Sequence, residues 1–138
     1  WGYARLASGA RDSEFGSSFA LLGEAMTAHP DMVSGTRRND LAFMQAGRGD
    51  WVTKVGADGV QVVGSKSRGE ALAIKVIDAS KPALFAATVE VLEQLGWLDD
   101  AQREQLEPWR ARAIINARGL HVGERRPAFS LTAAHDHV

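Results

Sequence analysis

The sequence predicts an α+β domain in which an antiparallel sheet of three or more strands is covered by helices. Three observations carry that expectation. Apolar residues recur at helical spacing near the N-terminus, three short alternating runs follow between residues 51 and 78, and a broad apolar stripe starts after Ser80. Helices, then a meander, then a long helix is the order of an α+β layer, not of alternating α/β units.

Phe15, Phe19, Leu22 and Met26 step by four, three and four, the signature of one helix face, with Ser17 or Ser18 as the cap. Pro30 disfavours helical geometry at His29 and should end the helix there. The stretch DMVSGTRR then reads as a loop. Asn39 is expected to cap a short helix through Ala46, with Leu41 and Met44 inward and Gly47 at its end.

Trp51 to Ala57 and Val60 to Gly64 flank Asp58-Gly59, a hairpin signal because glycine accepts positive φ. The polar SKSRG leads to a third alternating run, Glu70 to Asp78. Ser80 caps the next helix, Pro82 sits in its first turn, and an apolar stripe from Leu84 to Leu95 ends at Gly96. Asp99 starts a shorter helix to about Leu106 that Pro108 should stop, and Ile114, Ile115 and Val122 around Arg118-Gly119 predict one more edge strand. Residues 1–138 read as a single segment with 130–138 as a frayed tail. The opening on Trp1 reads as the middle of a longer protein.

Sixteen basic and seventeen acidic side chains leave no field to attract nucleic acid or an anionic membrane. The absence of cysteine excludes disulfides and thiolate metal sites and fits a cytoplasmic protein. No apolar run reaches the roughly 18 residues of a membrane span. The four histidines, His29, His121, His135 and His137, are scattered, so no metal site is expected in this chain.

Lys54 is the residue whose placement asks for a reason. It alternates with Val52 and Gly56, whereas Trp51, Thr53 and Val55 form the bulky face that should pack on the long helix. Lys54 would then look outward beside a glycine that lets a ligand approach. The bland alternative is a solvated edge lysine that blunts aggregation. Lys54-Val55-Gly56 parallels the strand-borne Lys-Thr-Gly of serine β-lactamases and penicillin-binding proteins, with Val55 in place of the hydroxyl. None of the four lysines has a serine three residues earlier, so the Ser-x-x-Lys nucleophile of that design would lie upstream. Between them, His29 caps a helix end, and Arg37 or Arg38 either clamps a carboxylate or pairs with Asp40 at the surface.

Taken in order, MTAHPDMVSGT, Asp40, Met44, KVGADGV and GEALAIKVID resemble the C-terminal part of the bacterial asparaginase II, or Rhizobium-type L-asparaginase, family. The likeness is strongest from Phe19 to Asp78, and looser through the long helix and NARGLHVGE. It implies the C-terminal part of a serine β-lactamase-like fold and hydrolysis of L-asparagine to L-aspartate and ammonia by a serine nucleophile from the N-terminal segment of the parent protein. It also implies dimers, and a zinc held by residues upstream rather than by this chain. By position, Lys54 corresponds to the family's active-site strand lysine, and His29, Gly35, Arg37, Asp40 and Gly56 are the candidates for shaping the cleft or binding substrate. The family's usual acidic-Asp-Gly and Arg-Ala after the third strand is replaced here by Ile77-Asp78-Ala79-Ser80-Lys81, which puts substrate selectivity near that loop in question. The competing reading is a non-catalytic α+β module that binds another chain through an exposed sheet face.

Overall fold

A computed structural model describes residues 1–133; of the tail expected to fray over 130–138, residues 134–138 lie outside the described residues, while the Leu131 backbone N–H donates to Gln94 Oε1 at 2.6 Å. Helix α1 (Gly2–Ser8) and a 3₁₀ turn (Gly9–Arg11) lead to α2 (Gly16–Ala28), α3 (Pro30–Ser34) and α4 (Asn39–Ala46). Strands β1 (Trp51–Gly56), β2 (Val60–Ser65) and β3 (Glu70–Lys75) follow, then α5 (Lys81–Gln94), α6 (Asp100–Arg110), and a hairpin of β4 (Arg112–Ile115) and β5 (His121–Arg125). The fold is α+β as expected.

The meander forms one antiparallel sheet in the order β1-β2-β3, so β1 is an edge. Gly56 faces Val60 and Trp51 faces Ser65, while Val60 faces Lys75 and Ser65 faces Glu70. Asp58 and Gly59 both take positive φ, 55° and 71°, as the predicted turn requires. On the bulky face Trp51 and Val63 pack with Phe43 of α4, Val89 and Leu92 of α5, and Leu106 of α6. This is the main core.

The opposite face is not open, contrary to the expectation for Lys54's neighbours. Val52 is fully buried, and a side chain at Gly64 would lie 3.1 Å from Ala7 Cβ and 3.2 Å from the Tyr3 carbonyl oxygen. Helix α1 therefore rests on the sheet where Gly64 permits close approach. Helix α2 reaches the same face at Gly23, whose Cβ position is 3.8 Å from Val52. Only the Lys54 end of that face stays accessible.

Several boundaries differ for physical reasons. Pro30 ends α2 but starts α3, because proline's fixed φ suits a first helical position; half of the expected loop is thus helical. Neither Ser17 nor Ser18 caps α2, whose N-cap is Phe15, and its stripe is not core: Phe15 and Leu22 are exposed, and Phe19 and Met26 only half-buried. Arg38, not Asn39, is the N-cap of α4, and the buried large residues of that helix are Phe43 and Met44, with Leu41 only half-buried. Asp99 does cap α6, in a capping box with Gln102, yet the helix continues through Pro108. Tertiary contacts hold that last turn: Trp109 sits edge-on to Phe43 and Phe85, and Arg110 bonds Glu90 at 2.8 Å. The expected edge strand is instead a separate two-stranded hairpin turning at Arg118-Gly119.

Candidate active site

The first turn of α4 lies against the edge of β1 and delivers Asp40 into it. The Val55 backbone N–H donates to Asp40 Oδ2 at 2.9 Å, using an edge group that no strand pairs. Gln61 Nε2 donates to Oδ1 at 2.9 Å and Asn39 Nδ2 to Oδ1 at 3.2 Å. Asn39 also donates to Gln61 Oε1 at 2.6 Å, which fixes the orientation of that amide. Thr53 Oγ1 accepts from Gln61 at 2.7 Å and has one hydrogen for either the Val62 carbonyl at 2.9 Å or Asp40 Oδ1 at 3.3 Å.

Asn39, Asp40, Thr53 and Gln61 are all buried, so this polar knot is closed from water. A carboxylate in such a place is costly unless every oxygen is satisfied, and here both are. Lys54 supplies the one cation. Its Nζ lies 3.6 Å from Asp40 Oδ2, with the carboxylate fully buried and the lysine side chain 42% exposed. The same Nζ donates to the Val55 carbonyl at 3.0 Å. The Asp40 contact is an ion pair longer than a hydrogen bond, so Val55 takes one of the three ammonium N–H groups and the rest are free for a ligand or solvent.

Tyr3 of α1 belongs to the same neighbourhood. Burial first, and then the charge of Asp40, push its phenol above the ordinary value. Such an environment favours the neutral phenol beside the carboxylate.

The structure brings Lys54, Asp40 and Gly56 together on the β1 edge. At Gly56 a side chain would meet Val60 at 3.4 Å and little else, so packing within the chain does not demand glycine there. Gly35 takes φ 84°, closing α3 as only glycine does easily. His29 sits exposed between α2 and α3; its backbone N–H bonds the Ala25 carbonyl, and the imidazole makes no hydrogen bond among the described residues. Arg37 and Arg38 are exposed and form no ion pair among the described residues, so the expected pairing of an arginine with Asp40 gives way to Lys54. Arg37 instead lines a cavity of about 540 Å³ on the α5 side of the hairpin, with Gly56 on its rim.

Tyr3, Asn39, Thr53 and Gln61 were not singled out in the sequence. Thr53 and Gln61 did carry a signal: both are polar at positions that alternation turns toward the core, and buried polar side chains need partners.

An ammonium on an edge strand, held from below by a buried carboxylate and open from above, can bind or stabilise a negatively charged oxygen. The family described as L-asparaginase II matches residues 1–127, and the chain belongs to that family. Comparison with curated proteins gives no match. The family implies a small-molecule substrate. Among the described residues no helix is long and apolar enough to cross a membrane. The chain has no cysteine, and among the described residues no three or more His, Asp or Glu side chains gather as a metal site.

Proposed function

We propose that this chain forms part of an L-asparaginase-type amidohydrolase of serine β-lactamase-like fold, with Lys54 at the reacting amide. The observation that carries the reading is the anchoring of Lys54 by buried Asp40 on an edge strand, in a chain of this family. The overall reaction takes L-asparagine and water to L-aspartate and ammonia. A serine from an N-terminal segment of the parent protein attacks the side-chain amide carbon, ammonia leaves with the proton it acquires, and water then cleaves the ester.

In that scheme Lys54 Nζ directs an N–H at the amide oxygen as charge develops, or holds the nucleophile's hydrogen-bond network. Asp40 positions Lys54. Gly56 leaves room for substrate beside the ammonium, while His29 at the α2–α3 junction and Gly35 and Arg37 in the α3–α4 connection shape the wall.

Ammonia release from L-asparagine, by this chain alone and with the N-terminal segment added in trans, tests the proposal. Activity that needs both pieces and is lost in Lys54→Ala supports it. Activity indifferent to Lys54→Ala removes that residue from the site, and silence from a well-folded pair defeats the hydrolytic reading.

A second reading, a non-catalytic interaction module, is favoured by the β4–β5 hairpin, where Ile115 is 54% and Val122 58% exposed. Isolated hairpins are marginal in water and gain stability from a cover. Size-exclusion chromatography over a dilution series would reveal the self-association this reading expects; a strict monomer that captures no parent segment counts against it.

A further inference from the structure

Two cavities flank one wall made by Phe85 and Trp109. The first, of about 540 Å³, carries Arg37, Arg38 and Lys81 on its lining. The second, of about 370 Å³, shares Lys81 and the two aromatic rings and adds Arg112 and Arg125, which face each other across the β4–β5 ladder. Both volumes fall within the range of small-molecule sites.

The charge pattern is lopsided in a chain with almost equal numbers of acids and bases. Asp58 is the single carboxylate residue on either lining. Among the described residues none of Arg37, Arg38, Lys81, Arg112 and Arg125 forms an ion pair, whereas the nearby Arg103 and Arg110 are held by Glu93 and Glu90. Gathering like charges without counter-charges raises the local potential and favours an incoming anion. The wall between them is firm, because Trp109 is wedged edge-on against Phe43 and Phe85 with ring centroids 6.1 and 5.3 Å away. The Phe85 and Trp109 rings stand at 82° to each other, so an apolar corner lies between two sets of cations. Lys54 is on neither lining.

We propose that this double cavity is a binding site for an anionic small molecule with a flat ring, the ring lying against one face of the Phe85–Trp109 corner and the anionic groups on Arg38, Lys81 and the Arg112–Arg125 pair. Such chemistry belongs to nucleotides and to aromatic acids. The site goes beyond the hydrolytic reading, with which its first cavity shares Arg37 and Gly56.

Isothermal titration of the 138-residue chain with four probes tests it: adenosine diphosphate, phenylacetate, pyrophosphate and adenosine. The expected result is that one ring-bearing anion binds at least tenfold more tightly than both pyrophosphate, which lacks a ring, and adenosine, which lacks a charge. Preference for the diphosphate identifies a nucleotide site, and preference for phenylacetate an aromatic-acid site. The double variant Arg38→Gln/Lys81→Gln, whose altered side chains are exposed, should retain the circular dichroism of the parent and lose at least tenfold in affinity. Absence of binding, equal binding of pyrophosphate and the ring-bearing anions, or unchanged affinity in the folded double variant would overturn the proposal.

Discussion

Asp40 and Lys54 meet at 3.6 Å with opposite exposures: the carboxylate is sealed in the domain and the ammonium stands at its surface. The pair joins the first turn of α4 to the edge of β1. One partner is committed to structure, and the other remains available to a ligand.

Replacing Asp40 should therefore act on folding. Asp40→Ala leaves the Val55 N–H and the Gln61 and Asn39 amides without their acceptor, and should cost about 2–4 kcal/mol. Asp40→Asn keeps the shape but turns an N–H toward one of those donors, for a loss of about 1–3 kcal/mol. Urea unfolding monitored by tryptophan fluorescence measures both, and a change near zero would show that the polar knot does not stabilise the fold.

Lys54 should show the reverse pattern. Its half-exposed side chain makes Lys54→Ala nearly neutral for stability, within about 1 kcal/mol. In an active assembly the same change should lower turnover by about 100-fold or more. Loss of activity accompanied by a large loss of stability would instead make it a structural residue.

Two glycines of the sheet should respond differently to alanine. Gly64→Ala pushes on Ala7 and the Tyr3 carbonyl of α1, both within 3.2 Å of the new carbon, and should lower Tm clearly. Gly56→Ala meets only Val60 at 3.4 Å and should leave Tm almost unchanged. If Gly56 makes room for substrate, its KM rises without a stability effect.

Stability should fall on both sides of neutrality. Hydrogen bonds from Arg5, then from the Phe15 and Glu14 backbone, hold the Asp12 carboxyl well below the usual carboxylate range. Glu90 is lowered too, chiefly by Gln94 and then by Arg110. The unfolded chain binds protons at these sites first, so their stabilisation is full above about pH 5 and fades as acid protonates the folded forms. Tyr3 has the opposite sign: its raised value means stability present below about pH 10 and lost as the phenol is forced to ionise. Thermal melts from pH 2 to 11 should show both losses, with Arg5→Gln flattening the acid limb and Tyr3→Phe the alkaline one.

Alternation of side chains, Asp58-Gly59, the Ser80 and Asp99 caps and the stripe from Leu84 made the meander, α5 and the start of α6 legible, because these are local interactions between near neighbours in sequence. Helix α1 was not legible. Its seven residues gain their helical state from packing on the sheet, where Ala7 and the Tyr3 carbonyl meet Gly64, far along the chain. The persistence of α6 past Pro108 has the same origin, in the grip of Trp109 and Arg110 on other elements.

The site divides along the same line. Residue type and strand period alone determined that Lys54 and Gly56 share one face of a strand and that Trp51, Thr53 and Val55 share the other. Only the tertiary structure decided that Asp40, rather than an arginine-bound surface acid, would be that lysine's partner. The reason is physical: a buried carboxylate must find donors, and the donors come from Asn39, Thr53, Val55 and Gln61, which no local pattern connects and which the packing of α4 on the sheet brings together.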